Sequence, residues 1–389
     1  MILNPIIIFV FLWLGVLSLY GLYFSGLLLI LNNTTIIFVL ANCFVLILSY
    51  LFYVMVFRLN KKPYAQKYQE GITKLVKFRL KILFVIWLTL SLFELYLFKG
   101  IPLLSLFRIG KYIAYFEYGV GSLHGLLNSI LLVISNYMFY LYLKKKGRGY
   151  LFLFLLCLCW PVLLVSRQVV MSMAIQAGFI FIIFSKNIGA KKILGFLAVI
   201  FFVIYLFGVL GDIRSGPVHF INLAQPTENY PKFLPSGFLW LYVYITTPLN
   251  NVNFNIETLS SLGYPLFSIS TLLPSAIRFL PSNISYTDFK LVNPNINVCS
   301  FHKPFLRDFG VVGSLVAYFL LGLLLMYFYY KVKKESHIKW KFILVVVLHN
   351  VVLSVFTNFF THLAFLVQML LHYLVNVKIK PRRQACNEV

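Results

Sequence analysis

Acidic residues are scarce in this sequence. Its 389 residues include only 10 Asp and Glu against 34 Lys and Arg, and charged residues make up 11% of the chain. Soluble domains carry about 25% charge, so a chain that is 61% hydrophobic is instead predicted to be a polytopic membrane protein. The net charge of +24 does not indicate nucleic-acid binding, because the basic residues cluster in short loops between apolar runs.

Cysteines and ligand-binding motifs are also few. Of the five cysteines, only Cys299 lies in the long polar stretch described below, so no disulfide can form within that stretch. The sequence has no G-x-x-x-x-G-K-[ST] or G-x-G-x-x-G motif, and no His, Cys and carboxylate residues at metal-ligand spacing. We therefore expect no metal, no cofactor and no nucleotide-driven chemistry.

Long apolar runs dominate the rest of the chain. A membrane-spanning helix needs about 20 apolar residues. We predict an all-α polytopic protein of about 10–12 such helices, because ten runs qualify and two are ambiguous. The ten are 5–31, 34–57, 79–98, 122–143, 150–166, 168–185, 193–211, 309–330, 341–360 and 362–378.

The basic residues predict an orientation. Of the 34 Lys and Arg, 24 fall in loops on one consistent side, which is the cytoplasmic side by the positive-inside rule. Both termini are then cytoplasmic. The predicted domains are residues 1–211 (N-terminal spans), 212–308 (a long extracytoplasmic loop), 309–378 (C-terminal spans) and 379–389 (a cytoplasmic tail).

The two ambiguous runs lie inside the long loop, at 238–249 and 265–280. If 238–249 were a full span, residues 250–263 would face the cytoplasm, yet they contain no Lys or Arg. We therefore predict re-entrant or interfacial segments. The prolines here, Pro248 among them, should break a continuous helix.

Arginines at the outer membrane face are candidates for binding an anion. Arg167, Arg214, Arg278 and Arg307 all lie there. The guanidinium group matches phosphate through two parallel hydrogen bonds, so we expect these four to bind a lipid-linked diphosphate. The alternative is ordinary contact with phospholipid head groups.

Two polar series repeat every four residues: Gln168, Ser172 and Gln176, and then Asn350, Ser354, Asn358 and His362. This spacing puts each series on one helical face. Such a face either lines an aqueous cavity or joins helices through hydrogen bonds.

A general base must come from few candidates. We predict catalytic roles for Asp308, His302 and Asp212, while a helix N-cap remains an equal alternative for Asp308. The other candidates on the outer side or at membrane depth are Glu94, Glu117, Glu228, Glu257, Asp288, His124 and His219.

Several short segments occur in a fixed order between about residues 95 and 330. They are Gly100-Ile101-Pro102, Gly121-Ser122-Leu123-His124-Gly125-Leu126-Leu127-Asn128, the span with Arg167, Gly211-Asp212-Ile213-Arg214-Ser215-Gly216, Tyr242-Val243-Tyr244, Thr247-Pro248-Leu249-Asn250-Asn251-Val252-Asn253-Phe254, Asn297-Val298-Cys299-Ser300 and Arg307-Asp308-Phe309-Gly310-Val311-Val312-Gly313. Together they resemble bacterial oligosaccharide repeat unit polymerases, the Wzy-like family. Ser300 is a departure, since the family commonly has Thr there.

The resemblance implies an inverting, membrane-embedded glycosyltransferase of the GT-C type in the bacterial cytoplasmic membrane. It would join undecaprenyl-diphosphate-linked oligosaccharides at the outer face into O-antigen or capsular polysaccharide. It also implies that Tyr244, Asn250 and Asn253 contact the glycan, and that a flippase and a chain-length regulator are partners. The alternatives are an O-antigen ligase with the same donor, or a flippase for lipid-linked oligosaccharides.

Overall fold

The structure is a computed structural model. It describes residues 3–57, 72–106, 117–185, 217–231, 233–259, 261–278, 289–296, 298–335 and 337–377, with a few isolated positions between 194 and 209. The predicted span 193–211 therefore lies largely outside the described residues, and Asp212 and Arg214 lie wholly outside them.

The described chain is helical, and its one isolated β-bridge pairs Ser25 with Pro226. Two 3₁₀ turns, Ser275–Ile277 and Phe359–Thr361, accompany the α-helices. These are α1 (Pro5–Tyr20), α2 (Asn33–Val56), α3 (Lys74–Phe98), α4 (Pro102–Leu106), α5 (Leu123–Lys145), α6 (Arg148–Leu163), α7 (Arg167–Phe184), α8 (Pro217–Ala224), α9 (Ser236–Asn255), α10 (Leu266–Ser270), α11 (His302–Glu335), α12 (Ile338–Leu353) and α13 (Leu363–Val375).

Five helical stretches are long and apolar enough to cross a membrane, and they fit a multi-pass membrane protein. Their outward faces are apolar while polar groups turn inward: on α2, Phe44 is exposed and Asn42 is fully buried. The five are Asn33–Val56, Lys74–Ser105, Leu123–Lys145, Arg167–Phe184 and His302–Glu335, and the shorter apolar helices are Pro5–Tyr20, Arg148–Leu163 and Leu363–Val375.

The basic ends of several helices meet at one end of the bundle. Arg79 Nη1, near the start of α3, donates to the backbone oxygens of Leu374 and Val377 at 2.7 Å, at the end of α13. Lys341 Nζ, near the start of α12, lies 5.5 Å from the ring of Phe184, which ends α7. We call this the basic end.

Two predicted helix ends are wrong. The predicted span 5–31 ends as a helix at Tyr20. The predicted span 341–360 ends at Leu353, so the series from Asn350 to His362 does not share one helical face. Within α11 the backbone is non-helical at Gly310, where φ is +68°, so two helices meet there across a kink. The predicted span 309–330 begins beside this kink.

Pro248 does not end a helix, contrary to our prediction, and α9 runs unbroken from Ser236 to Asn255. Before the proline, the Thr246 hydroxyl donates to the Tyr242 carbonyl (2.8 Å) and the Thr247 hydroxyl donates to the Val243 carbonyl (2.6 Å). In both bonds a threonine hydroxyl bonds the carbonyl four residues earlier, in the turn that leads into the proline.

The second half of α9 holds two non-helical segments through asparagine side chains. Asn250 accepts from Leu29 N (3.0 Å) and donates to Leu27 O (2.8 Å), and Asn253 bonds Asn32 N and Ile30 O in the same way. Residues 3 and 4 apart share a helical face, so Asn250 and Asn253 lie on one face of α9 and Asn251 and Asn255 on another. The second pair hydrogen-bonds a different segment, through Asn251–Val292, Asn251–Val298 and Asn255–Lys290.

Candidate functional site

A cavity of about 870 Å³ opens at the end of the bundle opposite the basic end. Its walls come from the first turns of α5, α7 and α13, the last turn of α12, one side of α9 and the loop that precedes α13. The cavity is therefore formed between several helices. A cavity of this size accommodates a small-molecule ligand or a lipid head group.

The cavity is cationic. Arg167 and Lys303 line it, and no Asp or Glu does so among the described residues. Arg167 is the first residue of α7, and its Cζ lies 5.7 Å from the centre of the Trp240 ring. The backbone N–H groups of that helix start carry partial positive charge as well. An anion is therefore the ligand that this wall favours.

Arg167 is the described member of the predicted arginine set that lines the cavity. The Arg278 Nε donates to the Ser270 carbonyl at 3.0 Å, outside the lining residues. The Arg307 guanidinium stacks 3.6 Å from the centre of the Phe267 ring, also outside them. Lys303, which we did not select from the sequence, lies beside Cys299, with its Nζ 3.9 Å from the sulfur.

Asp308 is fully buried and holds a neighbouring helix. Its two carboxylate oxygens accept from Phe267 N (2.8 Å) and Ser268 N (2.7 Å), in the first turn of α10. That helix follows Pro265, which has no capping side chain. Asp308 therefore caps α10 across space; it lies two residues before the kink at Gly310 and does not line the cavity.

His302 is also buried away from the cavity. Its ring lies 4.4 Å from the Trp13 ring and 5.1 Å from the Phe38 ring, and its Nδ1 bonds the Tyr318 hydroxyl. A cavity ligand would not reach this ring. The structure therefore gives His302 a packing position between α1, α2 and α11.

Of the three predicted glycan contacts, Tyr244 lines the cavity. Asn250 and Asn253 do not, because their side chains are buried against the backbone of residues 27–32, as described above. All the hydrogen-bonding groups of Asn253 find protein partners: Thr35 Oγ1 and Asn32 N donate to Oδ1, and Nδ2 donates to Ile30 O.

A carboxylate–imidazole pair stands at the cavity wall. His124 lines the cavity, and its Nδ1 lies 3.0 Å from Oε2 of Glu94, which is 2% exposed. The other Glu94 oxygen accepts from Val120 N at 3.0 Å. A carboxylate at Nδ1 favours the tautomer in which Nε2 is the bare, proton-accepting nitrogen.

The backbone before His124 is shaped for this pair. Gly119 has φ +107°, and a Cβ there would lie 2.6 Å from Cγ of His124. The Tyr118 ring packs edge-on against the imidazole at 5.8 Å. Glu94 and His124 were separate candidates in the sequence, and a separation of 30 residues does not predict that they are in contact.

A polar network closes the inner end of the cavity. Gln176 and Gln368 exchange hydrogen bonds of 3.3 and 2.8 Å, and Asn136 Nδ2 donates to Gln176 Oε1 at 2.7 Å. The series from Gln168 thus divides: Gln168 and Ser172 line the cavity, while Gln176 joins α5, α7 and α13. Both predicted roles of this series therefore occur, cavity lining at Gln168 and Ser172 and helix joining at Gln176.

The loop groups at the cavity are neutral. Burial, and then the nearby Arg278, lower the pKa of His362 below its ordinary value. Burial raises the pKa of the Cys299 thiol above its ordinary value. Neither group therefore adds to the positive charge that Arg167 and Lys303 bring to the described lining. Within the described ranges, no three His, Cys, Asp or Glu side chains gather to hold a metal ion.

Comparison with protein-family models, with curated proteins and with solved structures finds no match for this chain. The described residues fit a helical, multi-pass membrane protein, with a cationic cavity at the end of the bundle opposite the basic end.

Proposed function

We propose that this protein is a membrane-embedded glycosyltransferase. It joins oligosaccharide repeat units carried on undecaprenyl diphosphate at the outer face of the bacterial cytoplasmic membrane. The observation that carries the proposal is the cavity itself, which combines Arg167 and Lys303 with the Glu94–His124 pair. An anion-binding wall and a proton acceptor are what transfer from a diphosphate to a hydroxyl requires.

The step is a single displacement. The acceptor hydroxyl gives its proton to Nε2 of His124, and Glu94 stabilises the imidazolium that forms. The hydroxyl oxygen bonds to the anomeric carbon, whose bond to the diphosphate oxygen breaks. The electron pair leaves with the lipid diphosphate, where Arg167 and Lys303 offset the developing charge. Displacement from the opposite side inverts the anomeric carbon.

The Glu94–His124 pair favours transfer over flipping. A flippase moves its lipid without breaking a bond and needs no proton acceptor at the head group. The partners that follow from the polymerase proposal are lipid-linked repeat units, a flippase that delivers them and a chain-length regulator. An O-antigen ligase would use the same donor and a different acceptor.

A glycan ladder gel tests the function. A strain that lacks the gene should carry surface glycan with a single repeat unit, and the wild-type gene should restore the ladder. An unaltered ladder in the deletion strain would refute the proposal. Transfer only to a lipid A-core acceptor in membranes would identify a ligase instead.

Arg167→Lys tests the binding of the diphosphate. Arg148→Lys is its matched control, because Arg148 is exposed and lies near the basic end. Losing the guanidinium fork at a diphosphate should cost about 2–4 kcal/mol, roughly 30- to 1,000-fold in rate. Arg167→Lys should therefore lose long chains at a normal protein level, while Arg148→Lys keeps them.

A further inference from the structure

Asn128 presents a free side-chain amide at the wall of the cavity. It lies in the second turn of α5, lines the cavity and is only partly buried. Its amide makes no hydrogen bond to any residue that the structure describes. The next residue differs, because the buried Ser129 hydroxyl bonds the carbonyl oxygens of Gly125 and Ala364, each at 2.9 Å. The Asn128 amide is therefore available to a ligand in the cavity.

The helix fixes where Asn128 lies relative to the proton acceptor. His124 and Asn128 are four residues apart within α5, so they lie on one helical face with Cβ atoms about 5–6 Å apart. Both line the cavity. The carboxylate of Glu94 lies at Nδ1 of His124 and leaves Nε2 as the proton-accepting atom. Two groups that can bond hydroxyls therefore stand one helical turn apart on the α5 wall.

The charges of the cavity come from other helices. Arg167 begins α7 and Lys303 belongs to α11, while α5 contributes no Lys, Arg, Asp or Glu to the described lining. A diphosphate is thus drawn to Arg167 and Lys303, and the α5 wall suits an uncharged group. An amide offers both a donor and an acceptor, which match a hydroxyl that also donates and accepts. A sugar ring carries such hydroxyls on neighbouring carbons, so one ring can reach both α5 residues.

We propose that Asn128 binds the acceptor sugar. Its amide bonds one hydroxyl of the ring, and a second hydroxyl of the same ring gives its proton to His124 Nε2. The inference rests on the proposed function and adds to it, because it assigns the acceptor to the α5 wall and the donor diphosphate to Arg167 and Lys303. Asn128 thereby determines which hydroxyl of the acceptor reaches the proton acceptor.

Transfer kinetics of the full chain in lipid nanodiscs test this assignment. The substrate is the lipid-linked repeat unit extracted from the deletion strain, which acts as both donor and acceptor. Farnesyl diphosphate, as a competitive inhibitor, probes the diphosphate subsite alone. Asn128→Leu removes both hydrogen-bonding atoms at nearly constant size. It should raise the repeat-unit concentration that gives the half-maximal rate roughly tenfold, as expected for the lost hydrogen bonds.

Two further measurements separate acceptor binding from a general defect. The maximal rate of Asn128→Leu should stay within about twofold of the wild type, and the inhibition constant of farnesyl diphosphate should not change. Asn128→Ala adds no bulk, should give the same result and covers a folding defect of the leucine variant. Ser129→Ala is the matched control and should leave the half-maximal concentration unchanged, because its hydroxyl is already bonded within the protein.

A wild-type half-maximal concentration in both Asn128 variants, or a loss confined to the maximal rate, would overturn the acceptor role and leave the proposed function standing. An equal rise in the inhibition constant of farnesyl diphosphate would also overturn it, because Asn128 would then act on the diphosphate. Absence of transfer by the wild-type chain would overturn the proposed function and this inference with it.

Discussion

Replacing Glu94 by Gln tests the proton acceptor with the smallest change in shape. The Gln oxygen can keep the bond from Val120 N, which is 3.0 Å in the native pair. The amide NH₂ then faces His124 Nδ1, where the native carboxylate oxygen lies at 3.0 Å. Two donors cannot share this contact, so the imidazole shifts its proton to Nε2. Nε2 then no longer accepts a proton from the acceptor hydroxyl.

The expected loss is that of a general base. Positioned proton transfer contributes roughly 100- to 10,000-fold in rate, which corresponds to about 2.7–5.4 kcal/mol in the barrier. Binding of farnesyl diphosphate should stay within about twofold of the wild type, because Arg167 and Lys303 are untouched. The effect should thus fall on the rate of transfer and not on donor binding.

The assay is single-turnover transfer between lipid-linked repeat units in membrane vesicles, normalised to protein level. Glu335→Gln is the matched control, since that carboxylate pairs with Lys331 at 2.9 Å, near the basic end. Thermal unfolding in detergent separates a folding defect from a chemical one. Transfer by Glu94→Gln at the wild-type rate would refute the role of the pair.

Two further predictions concern backbone shape and stability. Gly119→Ala should reduce transfer about as much as Glu94→Gln, because its Cβ would lie 2.6 Å from the His124 ring. Gly149→Ala is the control: it has open space, lies outside the cavity lining and should leave the rate unchanged, so equal rates for the two variants would contradict this geometry. Asp308→Ala should lower the free energy of unfolding by about 2–4 kcal/mol, because it leaves two N–H groups in the first turn of α10 without their acceptor. Thermal unfolding measures this, and a midpoint temperature equal to that of the wild type would show that the cap contributes nothing.

The sequence predicts spans well where an apolar run has polar borders. The prediction 34–57 corresponds to Asn33–Val56, and 168–185 to Arg167–Phe184. It fails at α1, because residues 22–31 are as apolar as the helix before them. The backbone of residues 27–32 bonds instead to Asn250 and Asn253, and no local pattern reveals partners more than 200 residues away.

The site was predictable where a residue stands out in the local sequence, and not where it depends on distant contacts. Arg167 stands out in the sequence as a cation at the start of an apolar span, and the structure places it at the cavity. Asp308 stands out equally, yet its carboxylate is occupied by the backbone of α10. The Glu94–His124 pair depends on which side chains meet in three dimensions, which spacing along the chain does not specify.

During biosynthesis, residues 27–32 are made long before the α9 asparagines that hydrogen-bond them. Leu27 O bonds Asn250, which is 223 residues later in the chain. At roughly 5–20 residues per second, the ribosome reaches Asn250 roughly 10–45 s after Leu27. During that interval the backbone of residues 27–32 has none of its α9 partners and needs water, lipid head groups or the insertion machinery to satisfy it. A truncated chain that stops before α9 should therefore leave this segment open to proteases, while the full chain protects it.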